Sequence, residues 1–378
     1  MQKKYLTSEL VRRENRLSFF NYIGILPNPD EILSKTGNSI ENYRKLKYDP
    51  HVWSCIQSRK SGLQNLEYSL LIDNVEPALS KLIEQFISEI NIASLISDIA
   101  ESVLYGWQPF EFIWNETNSG TRYLLPTKIQ AKPQEWFCYD TRGRLCLKGK
   151  HTEPIPVSRF KFSTASHEAS YANPYGEALL ARCYWAVTFK NGGLRFWVNF
   201  MEKYGMPILI GKYNRGATKD EAEDLAQVLS DMHEDAVIVS PSDIEITLAE
   251  ATRTSSTDLY LEMINFCNTE ISKALLSQTL TTELKNGSLA AAQTHYKIRR
   301  EIITADAKIA ESFINHIIKL IAEINFGEVK SPQIRLTLND SDNNQKLERD
   351  IRLLNAGVPF NMAYWTRTYG LKNEDLKL

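Results

Sequence analysis

Three groups of residues have the types and spacing from which chemistry could be built. His167-Glu168 sets an imidazole beside a carboxylate, the pair a general acid–base step would use. No further partner pattern accompanies it, and a loop histidine is the blander reading. Asp340-Ser341-Asp342-Asn343-Asn344 opens like a calcium loop, with oxygen donors at alternate positions. It lacks the glycine required at the sixth position, and Ile351 stands where the bidentate glutamate belongs, so a solvated helix-entry loop fits better. His295-Tyr296-Lys297 could meet a phosphate, or could lie on a helix surface. The motifs of committed enzymes are missing: no Walker A, no GxSxG, no HExxH and no GxGxxG. The five cysteines, Cys55, Cys138, Cys146, Cys183 and Cys267, are odd in number and never in CxxC spacing, which predicts reduced thiols in a cytoplasmic setting. The expectation is a protein that is not an enzyme, with no metal and no cofactor.

Charge is more informative than any of these groups. The formal net charge is only −2, so the chain as a whole is not a basic DNA binder. From 118 to 163 there are nine basic and three acidic residues; from 220 to 250 there are ten acids and no Lys or Arg. Two solvated surfaces and a pair of docking surfaces of opposite sign both account for this. No apolar run reaches the roughly 18 residues of a membrane span, and the first 20 residues lack the apolar centre of a signal peptide.

The elements that would position these groups follow from periodicity. With 378 residues, two or three domains are expected. Residues 1–50 read as a polar arm with short helices. Val52, Ile56 and Arg59 share a helical face that ends at Gly62, and Leu66-Tyr68-Leu70-Ile72 alternates as a strand. Helical periodicity occurs twice between 77 and 105, closing at Gly106; a strand covers Trp107 to Trp114, and short strands between turns fill 123–162.

Asn173-Pro174 reads as N-cap and first helical residue of a segment running to Tyr204, roughly 46 Å long, with a kink or break expected at Gly192-Gly193. Its aromatics, including Trp185, Phe189, Phe196, Trp197 and Phe200, do not fit one stripe, so either a core or a neighbouring subunit must cover several sides. Next come a strand over Pro207–Tyr213, a helix over Thr218–Met232 with a Thr218/Glu221 capping box, and strands over Ala236–Val239 and Ile244–Leu248. A helix over Asp258–Leu276 and a polar loop over Ser277–Gly287 precede a proline-free, glycine-free stretch, Ser288–Asn325. That stretch carries Ile302, Asp306, Ile309, Phe313, Ile317, Leu320 and Ile324 at three-to-four spacing, and as one helix it would be roughly 57 Å long. A short strand from Gln333 to Leu338 and a C-terminal helix complete the chain.

The block from Arg159 to Lys212, with Asn173-Pro174-Tyr175-Gly176 before the aromatic segment and Gly205-Met206-Pro207 after it, resembles the portal proteins of Mu-like tailed phages. So do the Gly106–Trp114 strand, Gln278-Thr279-Leu280-Thr281-Thr282, and Gly287-Ser288-Leu289-Ala290-Ala291-Ala292-Gln293. The resemblance runs from about residue 48 to the end. It implies an α+β portal fold: a mixed wing, two stem helices, a small α/β clip and a long kinked tunnel helix. On this sequence it implies an arm over 1–50, a wing over 51–173, a first stem helix over 174–205 and a clip over 206–257. A second stem helix over 258–276, a tunnel loop over 277–287, a tunnel helix over 288–326, and a C-terminal wing with a reduced crown over 327–378 would follow.

The resemblance also implies partners and site residues. The chain would form a ring of about twelve copies at a capsid vertex, assembled in the host cytoplasm and carried in the virion. Double-stranded DNA would pass without base readout, meeting Thr279, Thr281, Thr282, Glu283, Lys285 and Asn286 in the tunnel loop. The terminase large subunit, and later head-completion or adaptor proteins, would dock on clip acids Glu221, Glu223, Asp224, Asp231, Glu234 and Asp235. Trp185, Phe189, Phe196, Trp197 and Phe200 would lie between subunits, the major capsid or scaffold protein would contact the ring, and no membrane is involved. A metal-dependent DNA-processing enzyme and a non-portal oligomeric scaffold are the alternatives. A nuclease needs clustered carboxylates beside a basic groove, and the acids of 220–250 lie in a segment without a single Lys or Arg.

Overall fold

The computed structural model describes residues 25–37, 39–117, 122–149, 153–204, 209–214, 216–232, 237–243, 256–279, 289–338 and 343–369. Two short helices, α1 (Glu31–Lys35) and α2 (Glu41–Leu46), lead into α3 (Pro50–Gln64). Asp49 caps α3 by accepting from the His51 and Val52 amides, and Pro50 sits at the first helical position, where its missing N–H costs nothing. Strand β1 (Leu66–Leu71) is followed by α4 (Pro77–Glu89), α5 (Ile92–Ile99) and α6 (Glu101–Tyr105). The strand-rich part holds β2 (Trp107–Glu116), β3 (Leu124–Ala131), β4 (Phe137–Tyr139), β5 (Leu145–Leu147), β6 (Ile155–Pro156) and β7 (Phe162–Ser166). Then come α7 (Leu179–Tyr204), β8 (Leu209–Tyr213), α8 (Lys219–Met232), β9 (Val237–Pro241), α9 (Ser256–Leu276) and α10 (Leu289–Phe326). Strand β10 (Gln333–Leu338) and helices α11 (Asn343–Asn355) and α12 (Met362–Tyr369) close the described chain.

Among the described residues the strands form four small sheets. The order β3-β2-β7 is antiparallel throughout, with a register shift between Ile113 and Trp114. The β4-β5-β6 sheet is also antiparallel. Strands β1 and β10, far apart in sequence, pair from Leu66↔Leu338 to Leu71↔Gln333. Strands β8 and β9 pair in parallel, which requires a crossover, and α8 supplies it as a compact βαβ unit.

The main core gathers around the second half of α10. Phe313, Ile314, Ile317, Ile318, Leu320, Ile321 and Ala322 are buried there against α4, α5 and β2. The Phe110 and Phe313 rings lie 4.6 Å apart. Each such side chain contributes about 1.5–3 kcal/mol on leaving water. Strand β10 is tied to the same helix by polar side chains: Asn315 donates to the Ile334 carbonyl (3.0 Å) and accepts from its amide (2.8 Å), and Glu311 accepts from the Leu336 amide (3.0 Å). A second core joins α2, α3, the first turns of α7 and the end of α9.

Two expectations about α7 change. The helix begins at Leu179, not at Pro174. Asn173 instead closes a turn: its Oδ1 accepts from the Tyr175 amide (3.1 Å) and its Nδ2 donates to the Gly176 carbonyl (2.8 Å). Gly176 (φ +69°) and Gly106 (φ +88°) meet backbone to backbone, so that a Cβ on Gly106 would lie 2.6 Å from the Tyr175 carbonyl oxygen. The Tyr175 hydroxyl accepts from the Tyr139 amide (3.0 Å) and donates to the Leu26 carbonyl (2.7 Å), which pins this turn beneath the β4-β5 sheet. The second change is that α7 passes through Gly192-Gly193 as continuous helix. Elsewhere α10 matches its expected span to within a residue. Asp340, Ser341 and Asp342 lie outside the described residues, and Asn343 already begins α11.

The glycine pair gives a test. Gly176→Ala should lower unfolding stability by about 2 kcal/mol or more, the left-handed backbone penalty plus the clash. Gly327→Ala, at a similar φ of +79° with open space around it, should lose only about 1 kcal/mol. Urea unfolding of both variants checks the gap; equal losses would contradict the packing role of Gly176.

Candidate assembly interface and loop

Helix α3 holds three other helices in place with buried polar groups. The Arg59 guanidinium binds both carboxylate oxygens of Asp306 on α10, through Nη2 at 2.7 Å and through Nε. Its Nη1 donates to the Leu275 carbonyl at the end of α9 (2.7 Å). Thus one side chain grips both sides of the 277–288 segment. The Lys190 ammonium of α7 meets Asp49, the α3 cap, at 2.8 Å, with both groups buried. The His51 Nε2 and Ser272 Oγ on α9 are 2.7 Å apart. Arg299 donates to the Ser58 carbonyl (3.0 Å), and Ile303 fills the space above Gly62. On the far side of α3, Lys60 and Lys47 converge on Glu101. Burial alone would raise the Glu101 carboxyl; the two ammonium groups outweigh it and hold it below the usual carboxylate range.

Helices α7 and α9 pack antiparallel as a two-helix slab. Gly193 allows their close approach, since a Cβ there would already sit 3.1 Å from the Met263 methyl. Further along, Trp197 stacks on Tyr260 at 6.4 Å between centroids and Phe200 tilts against the same ring at 6.0 Å. Of the five interface candidates, Trp197 and Phe200 therefore cement the slab itself. Trp185, Phe189 and Phe196 face outward at 51%, 55% and 68% exposure, joined by Phe266 at 64%. Buried near the root of the slab, Cys183 has its thiol pushed up to about 12 by desolvation, which rules it out as a nucleophile near neutral pH.

The loop candidates divide. Thr279 is half-buried just beyond α9; Thr281, Thr282, Glu283, Lys285 and Asn286 lie outside the described residues. The neighbouring Gln278 is buried and its Oε1 lies 2.9 Å from His295 Nδ1, so this histidine joins the two ends of the loop. His167 turns its Nδ1 to the Glu177 carbonyl at 2.8 Å, with no acid–base pairing to Glu168 in view.

The acidic segment is built as expected at its helix. The Thr218 amide donates to Glu221 Oε2 (2.9 Å) and the Glu221 amide approaches Thr218 Oγ1 (3.4 Å), completing a capping box. Glu221, Glu223 and Asp224 are exposed on α8; Asp231 is in its last turn; Glu234 and Asp235 lie outside the described residues. The basic segment differs from a plain positive surface. Lys132 and Lys161 both bind Glu111, Arg144 binds Asp140, Arg159 binds Glu323 and Arg122 approaches Glu116. Acids from 111, 116 and 323 thus neutralise charge that looked free in a linear count. Sequence reasoning also missed the α3 hub; its one visible trace was Asp306 standing in an apolar pattern. Among the described residues, no His/Cys/Asp/Glu group is placed to hold a metal, and no helix is long and apolar enough to cross a membrane.

A mixed fold with an antiparallel helical slab, a small βαβ unit and one very long helix defines a class, and comparison with known proteins places the chain in it. The chain belongs to the family of portal proteins of Mu bacteriophage, whose model matches residues 40–371. It is 25% identical over 288 residues to the portal protein of Escherichia phage Mu, covering 73% of this chain and 55% of that one. It is 24% identical over 269 residues to the Mu-like prophage FluMu protein gp29 of Haemophilus influenzae, covering 69% and 51%. The chain therefore spans about half the length of these curated relatives. Its fold is similar to that of a chain in the virion of a native gene transfer agent particle, with a TM-score of 0.55, 12% identity, and 88% and 93% of the two chains covered.

The Arg59–Asp306 pair predicts a specific asymmetry. Asp306→Ala should cost about 3–5 kcal/mol, because it strands a buried guanidinium. The double variant Arg59→Met/Asp306→Leu should cost much less, roughly the 1 kcal/mol of the lost bond to Leu275. Urea denaturation of the single and double variants measures this; a double variant as damaged as the sum of its singles would contradict it.

Proposed function

We propose that this chain is the subunit of a ring-shaped channel of about twelve copies at one vertex of a phage capsid. Double-stranded DNA enters through it during packaging and leaves through it at ejection. In this reading α7 and α9 are the two stem helices, β8-α8-β9 belongs to the clip, 277–287 is the tunnel loop and α10 the tunnel helix. The strand-rich part and residues 327–378 belong to the wing.

The observation that carries the reading is the α7–α9 slab, which leaves large apolar side chains exposed on both flanks within a chain of the portal family. A two-sided slab needs a neighbour on each side, and a head-to-tail repeat that closes gives a ring. The tunnel loop, with Lys285 its sole basic residue and Glu283 offsetting it, suits passage of DNA rather than tight holding, since affinity grows with each phosphate neutralised. Glu221, Glu223 and Asp224, repeated around a ring, form an acidic collar for a basic surface on the terminase large subunit and, later, on head-completion or adaptor proteins. The outer wing meets the major capsid or scaffold protein. The product is a virion component assembled in the host cytoplasm.

Negative-stain microscopy of the purified chain tests the central claim: rings with an axial hole are expected, and particles that remain single subunits or closed dimers would overturn it. The collar has its own test. Glu223→Lys with Asp224→Lys, leaving Glu221 to cap α8, should slow association with the motor about tenfold or more at low salt and much less at high salt. An effect independent of salt would reduce these acids to solvated surface.

A further inference from the structure

The ring reading leaves Gly192 unexplained, and the slab's geometry explains it. Gly193 next to it must be small because Met263 sits against it. Gly192 has no such reason: its φ is not left-handed, and among the described residues no atom lies within 4 Å of where a Cβ would be. A glycine inside a helix costs about 1 kcal/mol relative to alanine. Among the described residues nothing offsets that cost.

Helical geometry shows where the gap opens. At about 100° per residue, Gly192 falls on the same flank of α7 as Phe189 and Phe196, between them. Leu194, Val198 and Met201, all exposed, fall on the opposite flank. The slab therefore has one aromatic flank with a notch in it and one aliphatic flank. The flanks are unlike, and the head-to-tail repeat of a ring brings the aromatic flank of one copy against the aliphatic flank of the next.

Resting on the ring reading, we propose that Gly192 is a socket which receives Leu194 of the next copy of this chain. Rotation about a ring axis moves a subunit without raising it. Leu194 therefore lies near the height of the notch on the facing subunit, only two residues on from Gly192. Insertion of an aliphatic knob between two rings is the packing by which helices interlock.

The test sets monomer stability against assembly. Gly192→Ala should leave the unfolding midpoint of the dissociated subunit unchanged or raised, as removal of a helical glycine does. Gly192→Leu should keep the subunit folded but raise the concentration needed for ring formation by about tenfold or more. Gly192→Leu with Leu194→Ala should recover much of that loss, because the filled socket now meets a trimmed knob. Sedimentation velocity across a concentration series reads all three. Rings formed equally well by the parent and Gly192→Leu would overturn the socket while leaving the ring intact. A double variant no better than Gly192→Leu would overturn Leu194 as its occupant. A parent chain that never forms rings would sink the ring reading, and the socket with it.

Discussion

The Arg59 guanidinium is the constraint on which the rest of the structure depends. It joins α3 to the last carbonyl-bearing turn of α9 and to Asp306 in the middle of α10. Asp49–Lys190 and His51–Ser272 add α7 and a second point on α9. Buried charges of this kind add little net stability compared with apolar residues of the same size, because desolvation consumes most of the Coulombic gain. What they enforce is geometry. A guanidinium fork satisfies Asp306 and Leu275 together only when α3, α9 and α10 stand at one spacing and rotation. Apolar contacts alone would tolerate sliding. The root of the α7–α9 slab and both ends of the 277–288 segment are therefore fixed by polar contacts, while the slab's outer part relies on stacked rings such as Trp197 on Tyr260.

Much of this was legible from sequence because periodicity reports burial. The long proline-free stretch became α10 to within a residue, Thr218 and Glu221 formed their capping box, and the Val52, Ile56 and Arg59 face became a helix capped by Asp49. The misreadings have a common physical cause, namely that a residue type fits two local structures and only tertiary contact chooses. Asn173-Pro174 suits a helix start, yet Gly176 must lie flat against Gly106, so the turn persists and the helix waits until Leu179. Gly192-Gly193 suits a break, but the helical hydrogen bonds continue, because one glycine serves close packing against Met263 and the chain has no reason to unwind at the other.

Charge was the least legible property. A count along 118–163 looks strongly positive, but electrostatics acts through space. Glu111 from β2 lies between Lys132 and Lys161, and Glu323 from α10 reaches Arg159. The acidic stretch keeps its character for a structural reason: a βαβ unit turns Glu221, Glu223 and Asp224 on α8 to solvent, and the one basic residue of that helix is Lys219 at its first position. Likewise Asp306 announced itself as a carboxylate in an apolar stripe, but Arg59 is separated from it by 247 positions, beyond any local pattern.

Assembly and loop behaviour are separated by this arrangement. On the exposed flanks, Phe196 of α7 and Phe266 of α9 lie beyond the buried ties at Asp49, His51 and Arg59, so a neighbour packing on them meets a slab whose root is already set. On the other side, the Arg59 contacts hold the end of α9 and the fifth turn of α10 at once. Any rearrangement of the connecting segment is then confined to the chain between Leu275 and Asp306. Among the described contacts of that span, Gln278–His295 is a single side-chain bond, weaker than the forked ion pair behind it. A force applied to the segment would release that contact first and would reach the core only by breaking the Arg59 fork.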